Sequence, residues 1–206
     1  EEPFIGKKSD LIRCFAGFRS PFVVNTSVFK TPQNMVRLSS HGETLFVFGL
    51  LENARYIDAW VKSRDMGFYA IEYEYFRKGK DRTRGSFNPD FFIRIDLNRY
   101  IRILREDGRD CTGLRNLQDH GIESIIRVVE IKSDDDDDET TPAKERYATA
   151  HFQALNERLQ AGESIPAAEN GREEHGIPLY LFDLLAPSQF GNWFELLRQG
   201  QDLKRT

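Results

Sequence analysis

Two short apolar stretches set the fold of this chain: Asn88-Pro89-Asp90-Phe91-Phe92-Ile93-Arg94-Ile95 and Ile125-Ile126-Arg127-Val128-Val129-Glu130-Ile131-Lys132. Both are rich in β-branched or aromatic residues, which predicts two strands, and the almost continuously apolar second stretch indicates a central strand. Each also carries charged groups where a buried strand should have none. A carboxylate stripped of water is costly unless it is paired or holds a metal. Asp90 on one strand and Glu130 and Lys132 on the next would place two carboxylates and an ammonium near one point.

Composition limits the classes of protein to which the chain can belong. Its 206 residues, 39% of them hydrophobic, suffice for one globular domain with a sizeable core. The net charge of -4 gives no global basic field, so any nucleic-acid binding must use a local patch. Cys14 and Cys111 lie far apart without metal-ligand spacing, which favours free thiols in a reducing cytoplasm. No stretch approaches a membrane span, so we expect a cytoplasmic protein without a membrane partner.

The distribution of elements predicts an α/β fold with a mixed central β-sheet flanked by helices. The strands at 68–76 and 87–96 are expected to form a hairpin around the turn at 77–85. The late helix is expected to place Tyr147, Ala150, His151, Ala154, Leu155 and Leu159 on one apolar stripe. The other expected elements are helices over 41–53, 98–105, 142–160 and 190–197 and strands over 125–132 and 179–185.

With these elements placed, the chain resembles the PD-(D/E)xK nuclease superfamily. Within it, the chain is most similar to the C-terminal endonuclease domain of the restriction subunit of type III restriction enzymes and to related helicase-linked nucleases. The resemblance covers roughly residues 40–200, and the acidic run from Asp134 to Glu139 departs from it, because a Gly and a shorter connection are expected there. The matching segments are Ala59-Trp60-Val61-Lys62, Met66-Gly67-Phe68, Tyr73, Asn88-Pro89-Asp90-Phe91, Val129-Glu130-Ile131-Lys132 and the helix from Lys144 to Asn156.

The resemblance implies a restriction-endonuclease-like core over 39–206, an N-terminal extension over 1–38, and a single nuclease domain spanning 1–206. It also implies that Asp90, Glu130 and Lys132 are catalytic. Asp90 and Glu130 would bind Mg²⁺, with the backbone carbonyl of Ile131 as a third ligand and Mn²⁺ able to substitute. Lys132 would position the attacking water or hold a phosphate oxygen. From the residues alone, an ion pair of Glu130 with Lys132 beside a solvent-exposed Asp90 is the alternative.

Two readings of Glu43 stay open. The family often offers a helix carboxylate that reaches the metal, which makes Glu43 a candidate ligand. The pattern Ser40-x-x-Glu43 equally suits a capping box, in which Glu43 satisfies a backbone N–H.

The basic turn between the hairpin strands is a candidate DNA-binding element, because it leads directly into the Asp90 strand. The alternative is an ordinary solvated hairpin tip. Lys144 is a further candidate contact to DNA, or else part of a plain solvated first turn. The run Asp134–Asp138 is expected to repel itself, stay mobile and bind nothing specific. The cations of the turn are Arg77, Lys78, Lys80, Arg82 and Arg84.

The expected function is that of a Mg²⁺-dependent DNA endonuclease acting on double-stranded DNA in a restriction or anti-phage defence system. No phosphate-binding Gly-x-x-x-x-Gly-Lys-Ser/Thr motif is present, so an ATP-driven helicase or translocase would have to be supplied in cis or in trans. The first residue is Glu1, which favours a C-terminal part of a longer helicase-nuclease chain. The alternatives are a catalytically silent module that docks DNA or a partner, and, ranked lower, an RNA nuclease.

Overall fold

The computed structural model of the chain describes residues 22–23, 30–33, 35–63, 69–76, 82–162 and 176–201. Within these ranges the chain forms an α/β fold whose mixed central sheet is flanked by helices. The strands are β1 (Phe22–Val23), β2 (Met35–Val36), β3 (Ala59–Lys62), β4 (Ile71–Phe76), β5 (Arg82–Phe87), β6 (Phe91–Asp96), β7 (Ile122–Ile131) and β8 (Ile177–Leu185). The α-helices are α1 (His41–Glu52), α2 (Leu97–Glu106), α3 (Thr112–Asp119), α4 (Thr141–Gln160) and α5 (Phe190–Gln199), and a 3₁₀ turn (Pro187–Gln189) precedes α5.

The central sheet has the strand order β3-β6-β7-β8. β6 is antiparallel to both of its neighbours, β3 and β7, with Lys62 opposite Phe91 and Phe91 opposite Val129. The last strand, β8, runs parallel to β7 after the crossover through α4. A crossover helix is what a parallel pair requires, because parallel strands cannot be joined by a tight turn. The small pairs β1-β2 and β4-β5 lie outside this sheet.

The two faces of the sheet are covered by two separate clusters of buried apolar side chains. The larger cluster joins the sheet to α1, α2, α3 and α5, with Phe46 of α1 packed against the rings of Phe91 and Trp193. Val36 and Leu38, which belong to the predicted N-terminal extension, are buried in this cluster. The smaller cluster packs α4 and the hairpin β4–β5 against the opposite face of the sheet. The hairpin and α4 therefore stand over the same face.

The charge that the sequence places inside the second apolar stretch is compensated by a neighbouring strand. Arg127 of β7 donates to both carboxylate oxygens of Asp183 on β8, at 2.8 Å and 2.6 Å. Both side chains are buried, and the guanidinium also lies 5.4 Å from the Trp193 ring. This bidentate geometry supplies the pairing that a buried charge needs.

The expected helices over 41–53, 98–105, 142–160 and 190–197 and the strands over 125–132 and 179–185 are confirmed, with ends that shift by up to three residues. The expected hairpin partner is wrong: β4 pairs with β5 (82–87), whereas 91–96 forms β6 of the central sheet. Of the expected stripe on α4, Leu159 is buried as predicted, but Ala150, His151 and Ala154 are exposed, and Ala148 and Phe152 are buried instead. Helix α3 is not among the elements expected from the sequence.

None of the helices within the described ranges is both long and apolar enough to cross a membrane.

Candidate active site

The residues at the ends of β6 and β7 meet at one edge of the central sheet. Asp90 immediately precedes β6, and Glu130 and Ile131 are the last two residues of the antiparallel β7. Oδ2 of Asp90 accepts a hydrogen bond from the backbone N–H of Ile131 at 2.8 Å. In an extended strand the N–H and C=O of one residue point to the same side, so the Ile131 carbonyl is expected on the Asp90 side. The structure thus brings Asp90, Glu130 and Ile131 together.

Lys132 lies on the same face of β7 as Glu130, and its Nζ is 2.9 Å from Oε1 of Glu130. Burial, and after it the charge of Asp90, raise the pKa of Glu130 to about 7, although Lys132 and Lys144 act to lower it. Burial alone would lower the pKa of Lys132, but the Glu130 carboxylate outweighs it and the pKa is raised. The ion pair of the alternative is present, but Asp90 beside it is not solvent-exposed, since its side chain is 19% exposed.

Lys62, the last residue of β3, is a member of this site that the sequence did not single out as functional. Its Nζ lies 3.2 Å from Oδ1 of Asp90 and 3.5 Å from Oε1 of Glu43. Lys62 and Glu43 are each only 5% exposed, so the ammonium is compensated by protein carboxylates and not by water. The segment Ala59–Lys62 was part of the resemblance, but the register opposite β6 that places Lys62 next to Asp90 is a property of the folded sheet.

Glu43 belongs to the first turn of α1 and points toward the ammonium of Lys62. The N-cap is formed by Ser40, whose Oγ accepts from the N–H of Glu43 at 3.1 Å. The carboxylate accepts from the N–H of Ser39 at 2.8 Å and from its hydroxyl at 2.6 Å. This resembles the reciprocal bond of a capping box, displaced by one residue. Within the described ranges, no three Asp, Glu, His or Cys side chains are grouped so that they could hold a metal ion together.

The acidic run lies beside this edge of the sheet and is held by specific hydrogen bonds. Oδ2 of Asp138 lies 2.9 Å from Nζ of Lys144, and Oδ1 accepts from the N–H and hydroxyl of Thr140. These bonds, those from Thr140 first, hold the pKa of Asp138 well below its usual range. Asp134 accepts from the N–H of Ser188 at 3.1 Å. The run is therefore tied to its own neighbours, and the expectation that it binds no specific ligand stays a prediction.

Lys144 stands in the first turn of α4 and faces the site. Its charge is close enough to Glu130 to lower the pKa of that carboxyl, although burial has the larger, opposite effect. Its Nζ also lies 5.9 Å from the ring of Tyr73 on the hairpin. Lys144 therefore joins the hairpin, α4 and the end of β7.

Of the predicted basic turn, Arg82 and Arg84 are described, whereas Arg77, Lys78 and Lys80 lie outside the described residues, as do Met66-Gly67-Phe68 of the resemblance. Arg82 and Arg84 both form ion pairs with Glu74 on the opposite strand, and their side chains are 62% and 81% exposed. The ring of Phe76 at the end of β4 is 79% exposed. The two described arginines thus lie on the solvent face of the hairpin.

The donor set at this edge suits a hard divalent cation. Each oxygen of Asp90 accepts one partner and retains capacity for another, because a carboxylate offers about four acceptor positions. Glu130 is buried beside a second carboxylate, an arrangement whose cost a cation would relieve. Two carboxylates and a carbonyl, completed by water, match the preference of Mg²⁺.

The chain matches no protein-family model, no curated protein and no solved structure.

Proposed function

We propose that this chain is a metal-dependent DNA endonuclease domain of the PD-(D/E)xK type, which hydrolyses phosphodiester bonds. The observation that carries the proposal is the meeting of Asp90, Glu130 and Lys132 at the ends of two adjacent antiparallel strands, with Asp90 anchored to the N–H of Ile131. A module kept only for docking would have no need of a buried Glu130 beside a second carboxylate. The mixed sheet with its crossover helix α4 is compatible with a restriction-endonuclease-like core.

In this proposal Asp90, Glu130 and the Ile131 carbonyl hold Mg²⁺, with Mn²⁺ able to substitute. The bound ion supplies an acidified water and a charge sink for the phosphate oxygens. Lys132 orients the attacking water or a phosphate oxygen, because its ammonium is already held 2.9 Å from Oε1 of Glu130. Lys144, on the adjacent turn of α4, contacts the DNA backbone at the same edge of the sheet.

The hairpin β4–β5 supplies further phosphate contacts through Arg82 and Arg84. Its direction supports this role: Ile71 packs with Val128 and Phe152, and Tyr73 lies near Lys144. The first half of β4 thus runs toward the Glu130 edge. We further propose that the domain works with an ATP-driven helicase or translocase, in cis or in trans, in a restriction or anti-phage defence system.

The test is a nicking assay on supercoiled plasmid with Mg²⁺ or Mn²⁺, which compares the wild-type chain with Glu130→Gln. Gln keeps the shape of Glu130 and removes the charge that the metal requires, so nicking should fall below detection while the circular-dichroism spectrum is unchanged. The assay is run with the chain alone and within a motor-containing protein. Absence of metal-dependent nicking in both, or equal nicking by Glu130→Gln, would overturn the proposal.

One observation favours a second candidate, a silent nuclease-fold module that docks DNA or a partner. Lys62 and Lys132 already pair with the carboxylates of the site, so these acids are largely compensated by the chain's own ammonium groups. Metal-independent DNA binding without nicking, unaffected by Glu130→Gln, would support this candidate.

A further inference from the structure

The ammonium of Lys62 occupies the space between two of the carboxylates that the sequence proposed as metal ligands. It lies 3.5 Å from Oε1 of Glu43 and 3.2 Å from Oδ1 of Asp90. Its surroundings are almost dry, since the side chains of Lys62 and Glu43 are each 6% exposed. A cation between two carboxylates in a buried site compensates their negative charge, as a metal ion at the same place would.

We propose that Lys62 is a resident cation, whose ammonium takes the place of a second metal ion between Glu43 and Asp90 and limits the site to one divalent ion. The inference rests on the proposed function, because it concerns the same metal site. The single ion is held by Asp90 and Glu130. Glu43 is then a positioning residue that holds Lys62, and it is not a metal ligand.

The hydrogen bonds of Asp90 and Glu43 support these two roles, Asp90 as a metal ligand and Glu43 as the residue that holds Lys62. Oδ1 of Asp90 faces Lys62, whereas Oδ2 faces the N–H of Ile131 at the β7 edge. Both oxygens of Glu43 are taken by Ser39, and Oε1 also faces Lys62. Lys62 therefore stands between Glu43 and the β7 edge, and no three acidic side chains of the described ranges form a joint ligand group.

The position of Lys62 is fixed by its backbone as well as by its side chain. Gln33 accepts from the N–H of Lys62 at 2.7 Å and donates to its C=O at 2.9 Å. These two bonds cover the outer edge of β3 at Lys62. The pairing of β3 with β6 ends one residue later, at the bond from the Ser63 N–H to the Asp90 C=O. The ammonium is therefore carried by the hydrogen-bonded end of a strand, and such a support is what holds a functional side chain in one position.

The net charge of the site also favours a single divalent ion. When all groups are ionised, Glu43, Asp90 and Glu130 carry three negative charges against the two ammonium groups of Lys62 and Lys132. One divalent ion changes this single negative charge to a single positive one, whereas a second ion would raise the excess to three positive charges; Lys144 and its partner Asp138 add one charge of each sign and leave the balance unchanged. Burial of an uncompensated charge is strongly unfavourable.

The experiment measures Mn²⁺ binding to the whole chain without DNA, by calorimetry and by electron paramagnetic resonance of unbound Mn²⁺. Wild type should bind one ion. Lys62→Met, which keeps the length of the side chain and removes the ammonium, should take up a second ion or bind one ion at least about tenfold more tightly. The double variant Lys62→Met/Glu43→Gln should lose that gain, because it lacks the Glu43 carboxylate that Lys62→Met frees from its ion pair.

Two ions in wild type, or weaker Mn²⁺ binding by Lys62→Met, would overturn the inference. If Lys62→Met does not fold without metal, Glu43→Gln and Asp90→Asn in the wild-type background decide instead. Asp90→Asn should weaken Mn²⁺ binding more than about tenfold, and an equal loss in Glu43→Gln would overturn the inference. No Mn²⁺ binding by wild type would overturn the metal-dependent function itself, whereas two ions with intact nicking would overturn only the role of Lys62.

Discussion

Asp90 and Ile131 are joined by a hydrogen bond of 2.8 Å from a backbone N–H to a carboxylate, across 41 positions of sequence. The bond lies beyond the last paired residues of β6 and β7 and fixes the Asp90 carboxylate at the end of β7. Because Oδ1 of Asp90 faces Lys62, the side chain connects three strands of the sheet. A test of the site that spares the fold therefore needs a change at Asp90 that keeps an acceptor for the Ile131 N–H.

We expect Asp90→Asn to fold and to lose metal-dependent nicking by about hundredfold or more. The amide oxygen can still accept from Ile131, but the charge that would bind the metal is removed. The measurement is the initial nicking rate at saturating Mg²⁺, together with the unfolding temperature. Asp58→Asn is the matched control, because Asp58 is a paired surface carboxylate at the opposite end of β6. Equal rates for the two variants would contradict the role of Asp90.

The regular elements could be predicted because their apolar patterns are strong, whereas the hairpin partner could not. β5 reads Arg82-Thr83-Arg84-Gly85-Ser86-Phe87, a polar sequence that is typical of a turn. It forms a strand because Gly85 leaves room for the ring of Tyr73 on β4, where a Cβ would lie 2.7 Å from the nearest ring carbon. That complementarity depends on tertiary packing and is not visible in the local sequence.

The candidate site, like the fold, could be predicted only in part from the sequence. Asp90, Glu130 and Lys132 stand on strands with clear signals, and their meeting follows from strand pairing. Lys62 could not be assigned a role from sequence, because its partners Glu43 and Asp90 become neighbours only when α1, β3 and β6 pack. The displaced stripe on α4 has a similar cause: apolar residues lie on adjacent faces of that helix, and only packing selects Ala148 and Phe152.

Protonation of Glu130 should make stability depend on pH. Burial and the charge of Asp90 raise the pKa of Glu130 from 4.5 to about 7, so the folded state binds the proton more tightly than the unfolded state. The free energy of unfolding should therefore fall as pH rises from about 4.5 to about 7, by about 3 kcal/mol in total. Denaturant unfolding in EDTA at pH 5 and pH 8 measures the loss, and Glu130→Gln should remove it.

Metal binding should have the opposite pH dependence, because the ligand must be deprotonated. Mn²⁺ affinity of the wild type should rise between pH 6 and pH 8, and saturating Mn²⁺ should abolish the decline in stability. A stability profile that is the same for wild type and Glu130→Gln would show that this carboxyl does not titrate near neutral pH.

Two glycines in helices should respond in opposite ways to alanine. A Cβ on Gly49 of α1 would overlap the ring of Phe194 on α5, so Gly49→Ala should lower the free energy of unfolding by about 1–3 kcal/mol. A Cβ on Gly191 of α5 meets none of the described atoms within 4 Å, so Gly191→Ala should raise it by about 0.5 kcal/mol. Denaturant titrations of both variants give these values. Equal changes in the two would mean that Phe194 can move aside.

The hairpin offers a charge-balanced test of the proposed DNA contact. Glu74 pairs with both Arg82 and Arg84, so part of the positive charge on the solvent face is compensated. We expect Arg84→Gln to weaken DNA binding and to reduce the slope of log affinity against log salt by about 1. Glu74→Gln should instead strengthen binding, because both guanidinium groups become available to phosphates.

Fluorescence anisotropy with a DNA duplex over a series of salt concentrations measures both effects. Arg55→Gln is the control, since Arg55 is an exposed arginine that also pairs with acids, Glu106 and Asp107, at the opposite end of the sheet. If Arg55→Gln weakens binding as much as Arg84→Gln, the DNA contact is a general effect of net charge. Specific loss in Arg84→Gln with a gain in Glu74→Gln would instead locate the DNA on the hairpin face, next to the edge where Asp90 and Glu130 meet.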